Sequence, residues 1–197
     1  MRRSSAQVAA LLLAARAGTL SAAEVQHVDV ERDGKRFSVT VDVVVAATMP
    51  QVFEVLTDFA ALPGLSDAIE ESRVDAAVSD DEWLVYTRVK ACAFFQCRRV
   101  QRVERVWAHY PCEIEAELAD GETNLKASAS HWRLSPSGDG TRLHFSTTIE
   151  PDFWVPGKLG ERPVRKMVLN SVLDSMREAE RRAADGESKA TAQAGTP

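Results

Sequence analysis

The stretch FSVTVDVVVAATMPQVFEVLTDFAALP, residues 37–63, contains the change of period that decides the fold. From Phe37 to Val43 every second residue is apolar, and serine, threonine and aspartate stand between them. This period of two predicts a strand with one buried face. Asp33-Gly34 separates that strand from residues 25–31, so the two segments are predicted to form a β-hairpin.

The second part of the same stretch predicts a helix. Thr48 can cap the free backbone amide of Gln51, whose side chain can reach back, and Pro50 stands in the first turn, where no amide hydrogen is needed. Residues 62–65 allow only a short second helix, because proline and glycine interrupt them. The apolar side of the first helix consists of Val52, Phe53, Val55 and Leu56.

The rest of the chain contains two regions in which apolar residues recur with different periods. From Ile69 to Pro151 the alternation predicts a meander of antiparallel strands, clearest in residues 112–118, where apolar residues alternate with three glutamates. After Pro151 the period changes to about 3.6 and predicts one long amphipathic helix from about Leu159 to Ala184. The small, polar residues 185–197 are predicted to be disordered. We therefore predict an α+β fold in one domain over residues 24–184.

The N-terminal residues indicate export. A basic start at Arg2-Arg3, an apolar run at residues 6–15 and small residues up to position 23 follow the order of a secretory signal peptide. The alternative is an N-terminal helix on a cytoplasmic protein. We predict a signal peptide over residues 1–23 and a periplasmic or secreted location. The net charge of −5 disfavours a nucleic-acid partner.

The cysteines bear on the same question. If Phe94-Phe95 is the tip of a hairpin, Cys92 lies directly opposite Cys97, at a separation that a disulfide can bridge. An exported protein would form this bond, whereas a cytosolic protein would usually keep both thiols reduced. Cys112 is left over and is predicted to be a small buried residue.

The order of these elements is that of the helix-grip fold. Residues 47–63 resemble the first-helix signature of the START-like (SRPBCC) superfamily, and more narrowly its polyketide cyclase/dehydrase and coenzyme-Q-binding branch. Residues 132–136, 140–142 and 150–156 are similar to the late strands of that branch and to its entry into the last helix. The resemblance covers about residues 37–182.

The resemblance implies a curved antiparallel sheet of about seven to eight strands, wrapped around the C-terminal helix with a cavity between them. Members of the superfamily bind sterols, quinones, phospholipids or polyketides in that cavity. The expected partner is therefore a small apolar ligand, delivered or collected in transient contact with a membrane. We predict no cofactor.

A cavity and a packed core share the same alternation, so the pattern predicts only which side chains face inward. Small polar residues among them favour a cavity, because convergent polar groups orient an apolar ligand. Such a cavity has a volume of about 300 Å³ or more. The predicted cavity residues are Val41, Val43, Val85, Thr87, Val89, Arg102, Glu104, Ile114, Ala116, Ser128, Ser130, Trp132, Phe145, Thr147, Met167 and Met176.

Two charged residues in this set depend on strand register. Pairing from the cysteine hairpin places Arg102 opposite Thr87 and Glu104 opposite Val85, and strict alternation then aims both charges into the cavity. Because an internal Arg–Glu pair is costly to desolvate, we favour a β-bulge that turns Val103 inward instead. If strict alternation holds, Arg102 is expected to bind a ligand carboxylate or phosphate.

The sequence carries no catalytic motif with the usual spacing, and its histidines are scattered. If a turn occupies residues 135–140, His131 faces His144 on the outer side of the sheet. Two imidazoles without a nearby carboxylate or thiolate make a poor metal site, so none is predicted.

Three functions remain open. The first is binding or transfer of a lipid, quinone or similar ligand without catalysis. The second is a polyketide cyclase or dehydratase, which needs an acid or base in the cavity, and only Arg102 and Glu104 are candidates. The third is a protein-interaction module, which would present an exposed apolar patch on the sheet.

Overall fold

A computed structural model describes residues 23–93, 96–154 and 161–194. The predicted signal peptide therefore lies outside the described residues, except for its last position. Eight strands and three helices make up the described chain. They are β1 Glu24–Asp33, β2 Arg36–Val45, α1 Met49–Thr57, α2 Leu62–Leu65, β3 Ile69–Ala77, β4 Glu82–Ala93, β5 Gln96–His109, β6 Glu113–Leu118, β7 Leu125–Ser137, β8 Gly140–Pro151 and α3 Glu161–Ala194.

The strands form one antiparallel sheet in the order β1-β2-β8-β7-β6-β5-β4-β3. Strands that follow each other along the chain are neighbours, except that β2 pairs with β8. Helices α1 and α2 connect β2 to β3, which lies at the far edge of the sheet. These two helices and α3 pack against one face of the sheet, whose apolar side chains form the core. The predicted α+β helix-grip fold, with eight strands and a long C-terminal helix, is confirmed.

Helix α1 begins where the capping pattern places it. Gln51 Oε1 accepts a hydrogen bond from the Thr48 amide at 2.9 Å and another from the Thr48 hydroxyl at 2.8 Å. This contact satisfies a polar amide at the start of the helix, where no backbone acceptor is available. Val52 and Val55 then turn into the core and are fully buried.

The β7–β8 hairpin differs from the predicted register by two residues. Its turn is residues 138–139, and Gly138 has φ +60°, a left-handed conformation that glycine adopts without steric cost. The strands therefore continue to Ser137 and Gly140 instead of ending near residue 134. As a result His131 faces Ser146 and not His144, so the predicted pair of imidazoles is wrong.

Helix α3 continues ten residues past Ala184, where the sequence pattern placed its end. Residues 185–194 were expected to be disordered, yet their alanine, glutamate and lysine content suits a helix. Only residues 195–197 of the predicted tail lie outside the described residues. No helix in the described ranges is both long and apolar enough to span a membrane.

Candidate functional site

A cavity of about 180 Å³ lies between the N-terminal half of α3 and the apolar face of the sheet. It is smaller than the 300 Å³ expected for a drug-sized ligand. An apolar cavity of roughly 150 Å³ is nevertheless large enough to hold benzene. In this conformation the site therefore accommodates a small ring system and not a whole lipid.

Twelve of the sixteen predicted residues lie in the cavity wall, and strand alternation accounts for eleven of them. Alternation predicts these eleven residues correctly because strands β4 to β8 all turn one side toward α3. The twelve are Val85, Thr87, Val89, Arg102, Glu104, Ile114, Ala116, Ser130, Trp132, Phe145, Thr147 and Met167.

The other four predicted residues do not line the cavity. Val41, Val43 and Met176 belong to the packed core, where each is completely buried. The buried residues among 176–183 of α3 belong to the same core cluster as the valines of β2. Ser128 is also buried, but it stands beside the wall and contacts the side chain of Glu104.

Half of the residues in the cavity wall were not predicted from the sequence. Six of the twelve missed residues lie on α1, α2 and α3, whose orientation over the sheet is a tertiary property, and four lie on strands β3, β5 and β8. A spacing of three along Leu56, Phe59 and Leu62 was the one available signal for the connection between α1 and α2. The missed residues are Leu56, Phe59, Leu62, Ala68, Ile69, Val106, Leu143, Ile149, Val168, Ser171, Val172 and Ser175.

The predicted β-bulge in β5 is wrong. Pairing between β4 and β5 is regular from the cysteines to Glu82 and Trp107, with Arg102 opposite Thr87. Val103 faces the outer side of the sheet, and the loop after β6 covers it. The Ala119 amide donates to the Val103 carbonyl at 2.9 Å, and a Cβ on Gly121 would lie 2.9 Å from Val103 Cγ2. The loop buries Val103 without rotating the strand, so Arg102 and Glu104 face inward.

Arg102 and Glu104 form a buried ion pair in the cavity wall. Arg102 Nε lies 2.6 Å from Glu104 Oε2, and the side chains are 18% and 7% exposed. Ser128 Oγ donates to the second oxygen, Glu104 Oε1, at 2.7 Å. Arg102 Nε is buried, but its N–H is not aligned with Glu104 Oε2 well enough for a hydrogen bond, although the two atoms are close. The site therefore holds a buried N–H donor that is poorly aligned with the carboxylate beside it.

Three hydroxyl groups in the wall have hydrogen-bond partners within the protein. Ser130 and Thr147 share a hydrogen bond of 2.8 Å between their side-chain oxygens. Ser175 Oγ donates to the carbonyl of Ser171 at 3.1 Å. These three hydroxyl groups already have partners, whereas the buried N–H of Arg102 would gain an aligned hydrogen bond from a ligand acceptor.

Aromatic side chains form part of the apolar wall. The rings of Trp132 and Phe145 are 5.0 Å apart and tilted by 38°, as neighbours on β7 and β8. Phe59 is also in the wall, 5.8 Å from the ring of Trp83. Flat ring systems pack favourably against such surfaces.

The cysteines lie outside the cavity. Cys92 and Cys97 face each other across the β4–β5 hairpin and form a disulfide, as the spacing predicted. The predicted tip, Phe94-Phe95, lies outside the described residues. Cys112 is a free thiol and is exposed, so its predicted burial is wrong. It precedes β6, in the turn that follows His109.

Two histidines on the outer face do have carboxylate neighbours, contrary to the expectation from sequence. His144 Nδ1 lies 2.9 Å from Asp42 Oδ1, because β8 pairs with β2. His131 Nε2 lies 2.6 Å from Glu113 Oε1. The expectation was wrong because it took only the β7–β8 hairpin into account, whereas Asp42 lies on β2 and Glu113 lies on β6.

Solved structures share this fold at low sequence identity. A STAR-related lipid transfer protein from Xanthomonas axonopodis has a TM-score of 0.60 at 16% identity, over 77% of this chain and 98% of that one. The Zhui aromatase/cyclase from Streptomyces sp. R1128 has a TM-score of 0.58 at 14% identity, over 76% and 94% of the two chains. A START superfamily protein from Mycobacterium smegmatis has a TM-score of 0.54 at 22% identity, over 77% and 99%.

The comparison of sequences defines the family. No curated protein matches this chain. The family model described as polyketide cyclase / dehydrase and lipid transport matches residues 36–183. That range contains every residue of the cavity wall. The chain therefore belongs to the polyketide cyclase/dehydrase and lipid transport family.

Proposed function

We propose that this protein binds and carries a small apolar ligand that has one neutral hydrogen-bond acceptor. The observation that carries the proposal is the inward Arg102, whose buried Nε lies beside Glu104 but makes no aligned hydrogen bond, in a wall that is mostly apolar. A ligand carbonyl or hydroxyl oxygen at Arg102 satisfies that donor. Trp132, Phe145 and Val172 then contact the apolar body of the ligand.

The charge of the pair favours a neutral ligand. Glu104 already balances Arg102 at 2.6 Å. A ligand carboxylate or phosphate, the sequence-based expectation for an inward Arg102, would add a second negative charge to a buried site, and that charge would have to be desolvated. The carbonyl of a small quinone or ester, or a hydroxyl group on a small ring system, avoids this cost.

The test is to identify what the protein carries. The full chain is purified from its native compartment and studied by native mass spectrometry, followed by solvent extraction. We expect one apolar molecule per chain. Ala116→Phe fills the cavity and is expected to remove the molecule, whereas Ala129→Phe, on the outer face of β7, is the matched control that keeps it. A wild-type chain without ligand, or an Ala116→Phe chain that retains it, contradicts the proposal.

A cyclase or dehydratase is the second candidate, and the Arg102–Glu104 pair is the observation that favours it. Both oxygens of Glu104 are engaged, one by Arg102 and one by Ser128. A general base must instead reach a substrate proton, so carriage fits this geometry better than catalysis. Turnover of a linear poly-β-ketone by the wild type that is lost in Glu104→Gln, with ligand binding retained, would favour the enzyme.

We also propose that the protein acts in the periplasm or outside the cell. The order of residues 1–23 and the exposed Cys92–Cys97 disulfide support this proposal, because such a bond persists in an oxidising compartment. Fractionation of the native host, with the disulfide tested by thiol labelling, checks it. Recovery in the cytoplasm with both thiols reduced contradicts it.

Exchange of the ligand would take place in brief contact with a membrane. Trp154, at the end of β8, is 74% exposed, and indole rings favour the interface between water and lipid. We expect weak binding to phospholipid vesicles that decreases in Trp154→Ser. Vesicle flotation that is equal for the two proteins contradicts this contact.

A further inference from the structure

The outer face of the sheet carries a cluster of imidazoles and carboxylates that the ligand cavity does not involve. Strand β6 lies between β5 and β7 and directs Glu113 and Glu115 away from the core. On β7, His131 faces Glu115, and on β5, His109 faces Glu113. Strand pairing therefore brings two nitrogen and two oxygen ligand groups to one side of three adjacent strands.

The distances in this cluster are short. His131 Nε2 lies 2.6 Å from Glu113 Oε1 and 3.9 Å from Glu115 Oε1. One ligand atom from each of these three side chains lies within 4.8 Å of the other two. Tetrahedral coordination with bonds of about 2.05 Å requires ligand atoms about 3.3 Å apart. Small rotations of the side chains, which are all partly exposed, reach that separation.

The geometry points to a divalent transition-metal site formed by Glu113, Glu115 and His131, with a place for His109 or water as the fourth ligand. The metal class follows from the donors. Imidazole nitrogen with carboxylate oxygen suits Zn²⁺ and its neighbours in the first transition row, whereas Mg²⁺ and Ca²⁺ prefer oxygen alone. The ion would join β6, a strand of only six residues, to its neighbours.

The charges around the cluster are compatible with a cation. Glu113 and Glu115 bring two carboxylate groups to the cluster, within reach of His131. Arg133 lies 3.6 Å from Glu113, but its side chain is 61% exposed and can move into solvent. Among the described residues, Glu115 has no ion pair closer than the 3.9 Å contact with His131.

The alternative is a ladder of cross-strand charges that never binds a metal. To separate the two, the full chain without a polyhistidine tag is titrated with Zn²⁺ in competition with a chromophoric chelator, and Mg²⁺ is tested in parallel. Co²⁺ serves as a second probe, because a four-coordinate site gives it a visible absorption band. His131→Gln and Glu115→Gln remove one ligand each.

Two matched controls use groups outside the cluster. His144→Gln removes a second histidine–carboxylate contact on the same outer face, the one between His144 and Asp42. Cys112→Ser removes the exposed thiol, which is the strongest competing ligand in this region. Neither substitution changes the proposed ligands.

We expect one Zn²⁺ per chain, no competition by Mg²⁺, and a Co²⁺ band that disappears in His131→Gln. Each ligand variant should weaken Zn²⁺ binding by at least about tenfold, and both controls should leave it unchanged. Glu115 is half exposed, so Glu115→Gln tests the site without disturbing the fold. Absence of Zn²⁺ binding, equal binding in the ligand variants, or loss of binding in Cys112→Ser overturns the proposal.

Discussion

The segment of α3 that covers the sheet divides at Ser175 into two halves, residues 167–175 and 176–183, which meet the sheet differently. The C-terminal half, with Met176 and Ala179, packs on β1 and β2 and leaves both residues completely buried. The N-terminal half, with Met167 and Val172, faces the cavity and the inward pair Arg102 and Glu104. Strand β2 in the packed region and strand β8 in the cavity wall both alternate between buried and more exposed residues.

This difference shows that alternation selects the buried side of a strand and not what fills the space beside it. Packed contact is the more stable arrangement, because each apolar side chain loses water and gains close neighbours. The cavity half gives up part of that stability and also buries a charge pair. Both features are useful only if something else occupies the space.

The largest effect is expected when the charge pair is broken on one side. Glu104→Met leaves Arg102 buried without its counter-charge and should lower the free energy of unfolding by about 4 kcal/mol. The double variant Arg102→Met/Glu104→Met should recover most of the loss, since two apolar groups need no partner. Urea unfolding measures the free energy of both variants. A double variant that is less stable than Glu104→Met would contradict the assignment of Arg102 and Glu104 as a buried ion pair.

The next effect compares one methionine from each half. Met176→Ala opens a cavity in a packed region and should lower the free energy of unfolding by about 3 kcal/mol. Met167→Ala enlarges an existing space beside a partly exposed residue, so it should cost about 1 kcal/mol. The same urea experiment measures Met176→Ala and Met167→Ala. Equal losses of unfolding free energy would contradict the distinction between the two halves.

The smallest effect concerns an ion cluster that fixes the packed half. Hydrogen bonds from Arg181 and Arg182 lower the pKa of Glu178 to about 2, and Arg182 also lies 3.3 Å from Asp58 at the end of α1. Glu178→Gln should lower the free energy of unfolding by about 1–2 kcal/mol at neutral pH.

The pH dependence of that effect has a definite sign. The lowered pKa of Glu178 stabilises the fold above about pH 4.5, where the unfolded carboxyl is ionised, and this contribution is lost as pH falls toward 2. The difference between Glu178→Gln and wild type should therefore shrink between those values in urea titrations. A constant difference down to pH 2 contradicts the assignment.

The strands and their buried faces could be predicted from sequence, because alternation is a local property. The orientation of Arg102 could not, since it depends on whether anything covers Val103. A loop from a later part of the chain does so, and no local rule identifies it. The division into packed and open halves depends on how α3 crosses the sheet, which explains why Val43 and Met176 were assigned to the cavity.

The central claim is that Arg102 anchors a neutral acceptor in the cavity, and a matched pair of ring compounds tests it most directly. 1,4-Naphthoquinone and naphthalene share one ring system and differ in two carbonyl groups, and 1-naphthoate adds a charge. Their affinities are measured by displacement of a fluorescent dye from the wild type and from Arg102→Met/Glu104→Met. We expect naphthoquinone to bind the wild type at least about tenfold more tightly than naphthalene, about 1.4 kcal/mol. The double variant should lose that preference, and naphthoate should bind less tightly than the quinone. Equal affinities for quinone and hydrocarbon in the wild type, or a preference that survives in the double variant, would contradict the claim.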